Sequence, residues 1–156
     1  MTFVKSMAII FAVICALGAG TIGARAADDS LYQEFGARDG LVKIVDDATN
    51  RWLADDRIKD TFDDVNIARF KGLLVDQLCE LTGGPCQYHG RDMYQSHKGL
   101  HLNEAEFNAL VEGLQDAMDK FDVPYRVQNR LIALLAPMER DVVTRYRVDV
   151  GQAVSK

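Results

Sequence analysis

The chain has 156 residues, 48% of them hydrophobic, which is enough for one domain with an apolar core. Its formal net charge is −5 and Lys and Arg nowhere form a run. That argues against nucleic acid as a partner, because neutralising phosphates takes clustered cations. No internal repeat or low-complexity segment is visible.

Residues 1–26 read as a secretory signal peptide. Lys5 gives a positive start, Met7–Ala19 (MAIIFAVICALGA) is an unbroken apolar run, and Ala24-Arg25-Ala26 has the A-x-A form of a cleavage site. The run is too short and wrongly flanked for a stable membrane span; an uncleaved anchor is the alternative. Ile14 stands before Cys15 where a lipoprotein signal needs a small residue. Cleavage after Ala26 removes two basic residues and no acidic one, so the mature chain is more acidic still. The expected location is periplasmic or secreted, with no membrane association after cleavage and with disulfides allowed.

Along the mature chain, Ser30 caps a short first helix carrying Leu31 and Phe35, which Gly36 and Gly40 break. Leu41, Ile44, Val45, Ala48 and Trp52 share one face of a second helix. Residues 54–64 read as a polar loop with Ile58 and Phe62 turned inward. Phe70, Leu73, Leu74, Gln77, Leu78 and Leu81 mark a third helix, stopped at Gly83-Gly84-Pro85. Asn103, with Glu106 three residues on, is a capping box for a fourth helix. Its apolar face is Phe107, Leu110, Val111, Leu114, Ala117, Met118 and Phe121. Pro124 opens the next segment, and Leu131, Ile132, Leu135, Met138, Val142 and Val143 give a fifth helix. No stretch alternates with period two, so the fold class is all-α. A mature domain over 27–147 and a frayed tail over 148–156 complete the organisation.

One stretch does not fit a plain helix connection. Gly83–Leu100, GGPCQYHGRDMYQSHKGL, far exceeds the roughly two to eight residues such a connection takes. It holds two of the three histidines, His89 and His97; the third is His101. There is no H-E-x-x-H, C-x-x-C or C-x-x-C-H, so structural zinc and covalent c-type haem lack a signature. Acid pairs such as Asp55-Asp56 and Asp63-Asp64 read as solvated loop charge. His97 stands between two apolar helices, with Met93 before it and Leu100 and Leu102 after it. A neutral imidazole in an apolar, water-excluding space is what an axial haem ligand requires; an ordinary histidine at a core edge is the other reading.

The segments LYQEFGARDGL, VDDATNRWLADDRI, NIARFKGLLVDQLCELTGGPCQYHGRDMYQSHKGL, NEAEFNALVEGLQDAM and VPYRVQNRLIALLAPMERDVV together resemble a group I truncated haemoglobin, over about Leu31 to Val143. The specific part is GGP followed by Tyr88, Gly90-Arg91, Met93, His97 and Phe107 in the family's order. The resemblance implies a shortened globin, two helices over two, holding haem b non-covalently and binding the diatomic gases oxygen, nitric oxide and carbon monoxide. It implies His97 as the proximal iron ligand and Phe62 as a ring on the haem face. Tyr88 and Met93 would line the haem edge, and Arg69 and Lys71 would pair with the propionates. An earlier glycine pair of the family appears only as Gly36-Ala37.

The distal side departs from the family. Thr49 stands where a tyrosine donor is usual, and Phe70 and Leu74 occupy positions that often hold glutamine. A hydrogen bond to the partly charged bound oxygen is worth roughly 1.5–3 kcal/mol, so its loss raises oxygen dissociation about ten- to a hundredfold. Thr49 remains a weak donor candidate. The resemblance further implies nitric oxide dioxygenation as a possible activity, which a retained oxygen would serve best. A weak peroxidase activity is the second enzymatic reading, without a distal His or Arg to help it, and a reductase or other redox partner would then be needed. Lys71 is a candidate sixth ligand, which would favour electron transfer instead. A haem-free helical interaction protein is the rival from another class. Cys79 and Cys86 are either a disulfide, which would contribute roughly 2–2.5 kcal/mol, or two small core residues.

Overall fold

The computed structural model describes residues 30–143, and among them every regular element is helical. The signal segment 1–26 and the tail over 148–156 lie outside the described residues. In chain order the α-helices are α1 (Ser30–Glu34), α2 (Ala37–Ala54), α3 (Ile67–Leu81), α4 (Met93–His97), α5 (Glu104–Lys120), α6 (Tyr125–Leu135) and α7 (Glu139–Val142). Short 3-10 turns at Lys59–Phe62 and Ala136–Met138 fall between α2 and α3 and between α6 and α7.

The five residues of the expected α2 face, Leu41 through Trp52, are all buried at 2% exposure or less. α2 uses that face twice, packing against α3 on one side and α5 on the other. It is the central helix, and the layer built on it holds Val75, Leu78 and Cys79 of α3 with Ala109, Leu114, Ala117 and Met118 of α5. α6 lies against α5 and α1, and α7 against α4. The first helix is anchored at both ends. Tyr32 N–H donates to the Thr82 carbonyl at 3.0 Å, and Glu34 accepts from Arg126 and Arg130 of α6.

Four expectations change. Gly40 does not break a helix; it lies inside α2, which begins at Ala37. The break is at Gly36, whose φ of 78° is left-handed. The inward-facing part of 54–64 holds, since Ile58 and Phe62 are buried, but Lys59–Phe62 winds into a 3-10 turn instead of an open loop. The expected fifth helix is two. Pro137 has no N–H to continue the ladder, so α6 stops at Leu135 and the chain turns before α7. Phe121 is 39% exposed. It falls at the C-cap of α5, past the last buried turn, with the Lys120 ammonium 5.6 Å from its ring centre. The capping box is present as expected. Asn103 accepts from the Ala105 and Glu106 backbone, and Glu106 accepts from the Asn103 N–H at 2.8 Å.

Candidate functional site

The stretch Gly83–Leu100 is held down along its length. Gly84 N–H closes the end of α3 onto the Cys79 carbonyl at 2.8 Å. A disulfide joins Cys79, fully buried in α3, to Cys86, with 5.7 Å between their Cα atoms. Tyr88 N–H donates to the Glu80 carboxylate at 3.1 Å, and the Tyr88 hydroxyl donates to the Arg91 carbonyl at 2.7 Å. Burial pushes the Tyr88 phenol above its ordinary value. A β-carbon at Gly90 would stand 2.2 Å from the Tyr88 ring, so only glycine lets the tyrosine fold over this turn. Asp92 then caps α4, accepting from Gln95 N–H at 2.7 Å.

His97 ends that helix. Its Nδ1 lies 2.7 Å from the Met93 carbonyl oxygen. A carbonyl only accepts, so Nδ1 carries a proton, and in the neutral ring Nε2 then keeps its lone pair. His97 is half-buried, while His89 and His101 are exposed. Among the described residues no group of three or more His, Cys, Asp or Glu could hold a metal ion.

Across from α4, the stripe of α3 at Phe70, Leu74, Gln77 and Leu81 is half-buried at the edge of the core. The two helices meet where the Gln77 amide nitrogen lies 3.7 Å from the Met93 sulfur and 3.8 Å from that of Met138. An aromatic platform closes the α2 end of the stripe. Phe62 stacks on Trp52 at 6.3 Å and meets Phe70 edge-on at 5.6 Å, and Trp52 also contacts Phe70 at 6.2 Å. Trp52 is itself fixed by a 2.9 Å hydrogen bond from Nε1 to the Leu110 carbonyl.

The expected site residues divide accordingly. Phe70 and Leu74 lie on the α3 stripe and Phe62 packs on it through Phe70, Met93 and His97 lie on α4, and Tyr88 is folded over the turn that leads to α4. Thr49 is fully buried, and its hydroxyl donates to the Val45 carbonyl within α2 at 2.6 Å. Its proton is already used. Lys71 pairs with Asp46 of α2 at 3.1 Å, and the Arg69 side chain is exposed, with its backbone N–H on the Asn66 cap. Sequence periodicity marks Trp52 and Gln77 only as helix-face positions. The platform role of Trp52 depends on a residue ten positions away, and nothing local marks it.

Residues 30–144 match the family model of bacterial-like globins. Among curated relatives, the group 1 truncated hemoglobin GlbN of Mycolicibacterium paratuberculosis is 28% identical over 120 residues, 77% of this chain and 88% of that one. GlbN of a Synechocystis species is 34% identical over 99 residues, covering 61% and 80%. Among solved structures, the Fe(III) form of the truncated hemoglobin from Tetrahymena pyriformis superposes with a TM-score of 0.70 at 26% identity, over 72% of this chain and 97% of that one.

Proposed function

Since the chain belongs to the bacterial-like globin family, and within it to the group 1 truncated hemoglobins, we propose that it is a haem protein that binds diatomic gases, with His97 as its iron ligand. The observation that carries this reading is the His97–Met93 hydrogen bond. It fixes the tautomer and the ring plane and leaves one nitrogen of a neutral imidazole for a metal. The rest of the donor set suits a porphyrin. His97 offers one nitrogen ligand, and Phe62, Phe70, Leu74 and Met93 offer apolar and aromatic surface on the elements around it.

When bound, the haem iron supplies the point at which a gas is held. The chain's own residues do the rest. Phe62, backed by Trp52, offers a flat ring surface. Phe70 and Leu74 exclude water. Met93 lines the edge while its carbonyl holds the proximal imidazole. Lys71 is engaged by Asp46, which favours an open sixth position over lysine ligation and gas binding over electron transfer. Non-covalent haem b is the proposed form, since His97 is the one histidine at the site. Arg69, exposed on the same helix, is the cation available to a propionate. Export to an oxidising compartment completes the proposal. It is supported by the Cys79–Cys86 bridge and by the signal-like 1–26 segment, and cell fractionation tests it.

The test of function is the absorption spectrum of the mature protein, ferric and ferrous, with and without carbon monoxide, beside His97→Ala. The expected result is a Soret band that shifts with carbon monoxide, a five-coordinate ferrous form, and a disrupted spectrum in the variant. No Soret band after haem is supplied would overturn the reading in favour of a haem-free interaction protein.

A further inference from the structure

We propose that Met93 and Met138 form a methionine sulfoxidation site, with the Gln77 amide as the donor that holds the sulfoxide oxygens. Three segments distant in sequence meet there. Gln77 is on α3, Met93 opens α4, and Met138 ends the 3-10 turn before α7. The Gln77 amide nitrogen lies 3.7 Å from the Met93 sulfur and 3.8 Å from the Met138 sulfur. A thioether has no proton to give, so the end of the amide that faces the sulfurs is its N–H end. That end carries two donors, one for each sulfur.

A thioether is a weak acceptor, so these contacts are poor as they stand. Oxidation changes that, because a sulfoxide is polar and chiral and its oxygen projects from the sulfur. In an ordinary core such an oxygen is buried without a partner and costs stability. Here a donor already stands beside each sulfur. Access differs in the same direction. Met93 and Met138 are half-buried, within reach of a small oxidant. Met118, the other methionine among the described residues, is fully buried in α5.

The oxidant is a hydroperoxide. The sulfur lone pair attacks one peroxide oxygen, an S–O bond forms and the O–O bond breaks. The second oxygen leaves as water after taking the proton of the first. Sulfur is oxidised by two electrons and the peroxide is reduced. The new oxygen then accepts from Gln77, which ties α3 to α4 and to the turn before α7. Met93 lies one turn before His97, and its carbonyl holds that ring. Oxidation at this site therefore fastens the segment that carries His97, where methionine oxidation elsewhere loosens a fold.

The experiment exposes the mature protein to hydrogen peroxide, as wild type, Gln77→Leu and Gln77→Glu. Cyanide is present to keep peroxide from an iron. Gln77→Glu keeps the shape of the side chain but has no N–H at neutral pH. Peptide mass mapping reads which methionines gain an oxygen, chromatography separates the two sulfoxide epimers, and melting is followed before and after. Met93 and Met138 should be oxidised ahead of Met118, one epimer should dominate at each, and the wild-type melting temperature should hold or rise. In both variants the epimers should approach equal amounts, and oxidation should lower the melting temperature by on the order of 4 °C or more. Met118 oxidised as fast as the other two would show that peroxide acts through general unfolding, and would overturn the proposal. So would a wild type that loses as much stability on oxidation as the variants do. None of these readings requires haem, so their failure leaves the haem reading standing.

Discussion

A β-carbon at Gly40 would lie 1.8 Å from the Phe35 carbonyl oxygen. That residue lets α2 run on directly from the left-handed turn at Gly36, with α1 folded back against it. Gly40→Ala should destabilise the protein by about 1–3 kcal/mol, the range for forced overpacking, measured by thermal or denaturant unfolding, while an exposed alanine substitution such as Gly72→Ala, with nothing within 4 Å of the new carbon, should be neutral or stabilising. Asp47 makes a second residue-level case. Hydrogen bonds from Lys120 of α5 and Arg51 of α2 hold its carboxyl below the ordinary 3.8. A depressed folded value stabilises above the unfolded pKa, and that contribution is lost as the pH falls through the folded value. Between about pH 5 and pH 3 the wild type should therefore lose more stability than Asp47→Asn. Equal slopes on the acid limb would show that the ion pair contributes nothing.

Among the elements, α4 is the one that cannot stand alone. It has five residues, too few for an isolated helix. Its position comes from the Asp92 cap, the folded Tyr88 and the disulfide behind them. Cys86→Ser should lower unfolding stability by roughly 2–2.5 kcal/mol in the chain-entropy model. It should also loosen the segment that carries His97, seen as faster haem loss to an acceptor apoglobin. A variant that unfolds earlier yet releases haem at the wild-type rate would separate the bridge from the site. α6 and α7 show the opposite case, where one residue decides: Pro137 divides what hydropathy alone reads as a single helix.

For the whole molecule, α3 and α4 touch at the Gln77–Met93 contact, while the core sits mainly between α2, α3 and α5. A ligand that binds only the folded state stabilises it by mass action, about 2.7 kcal/mol at a hundredfold excess over its dissociation constant. Haem should therefore raise the unfolding midpoint of the apoprotein markedly, and much less in His97→Ala. An equal rise in both would mean that haem is held by apolar burial alone, without the imidazole.

The sequence by itself determined the helical class, the buried face of α2, the capping box of α5, the inward Ile58 and Phe62, and the family through the motif from GGP to His97. These are local: periodicity, a cap and a spacing are written in consecutive residues and survive any context. What the tertiary structure alone decided is long-range or steric. Gly40 sits inside α2 as the one residue type that fits, because the Phe35 carbonyl leaves no room for a side chain there. Lys71 went to Asp46 of another helix, and Trp52 joined Phe62 and Phe70 in one platform. Gln77 came to rest on two sulfurs from distant segments. A hydrogen atom is claimed by whichever acceptor the fold brings nearest, and no pattern along a single chain states which one that is.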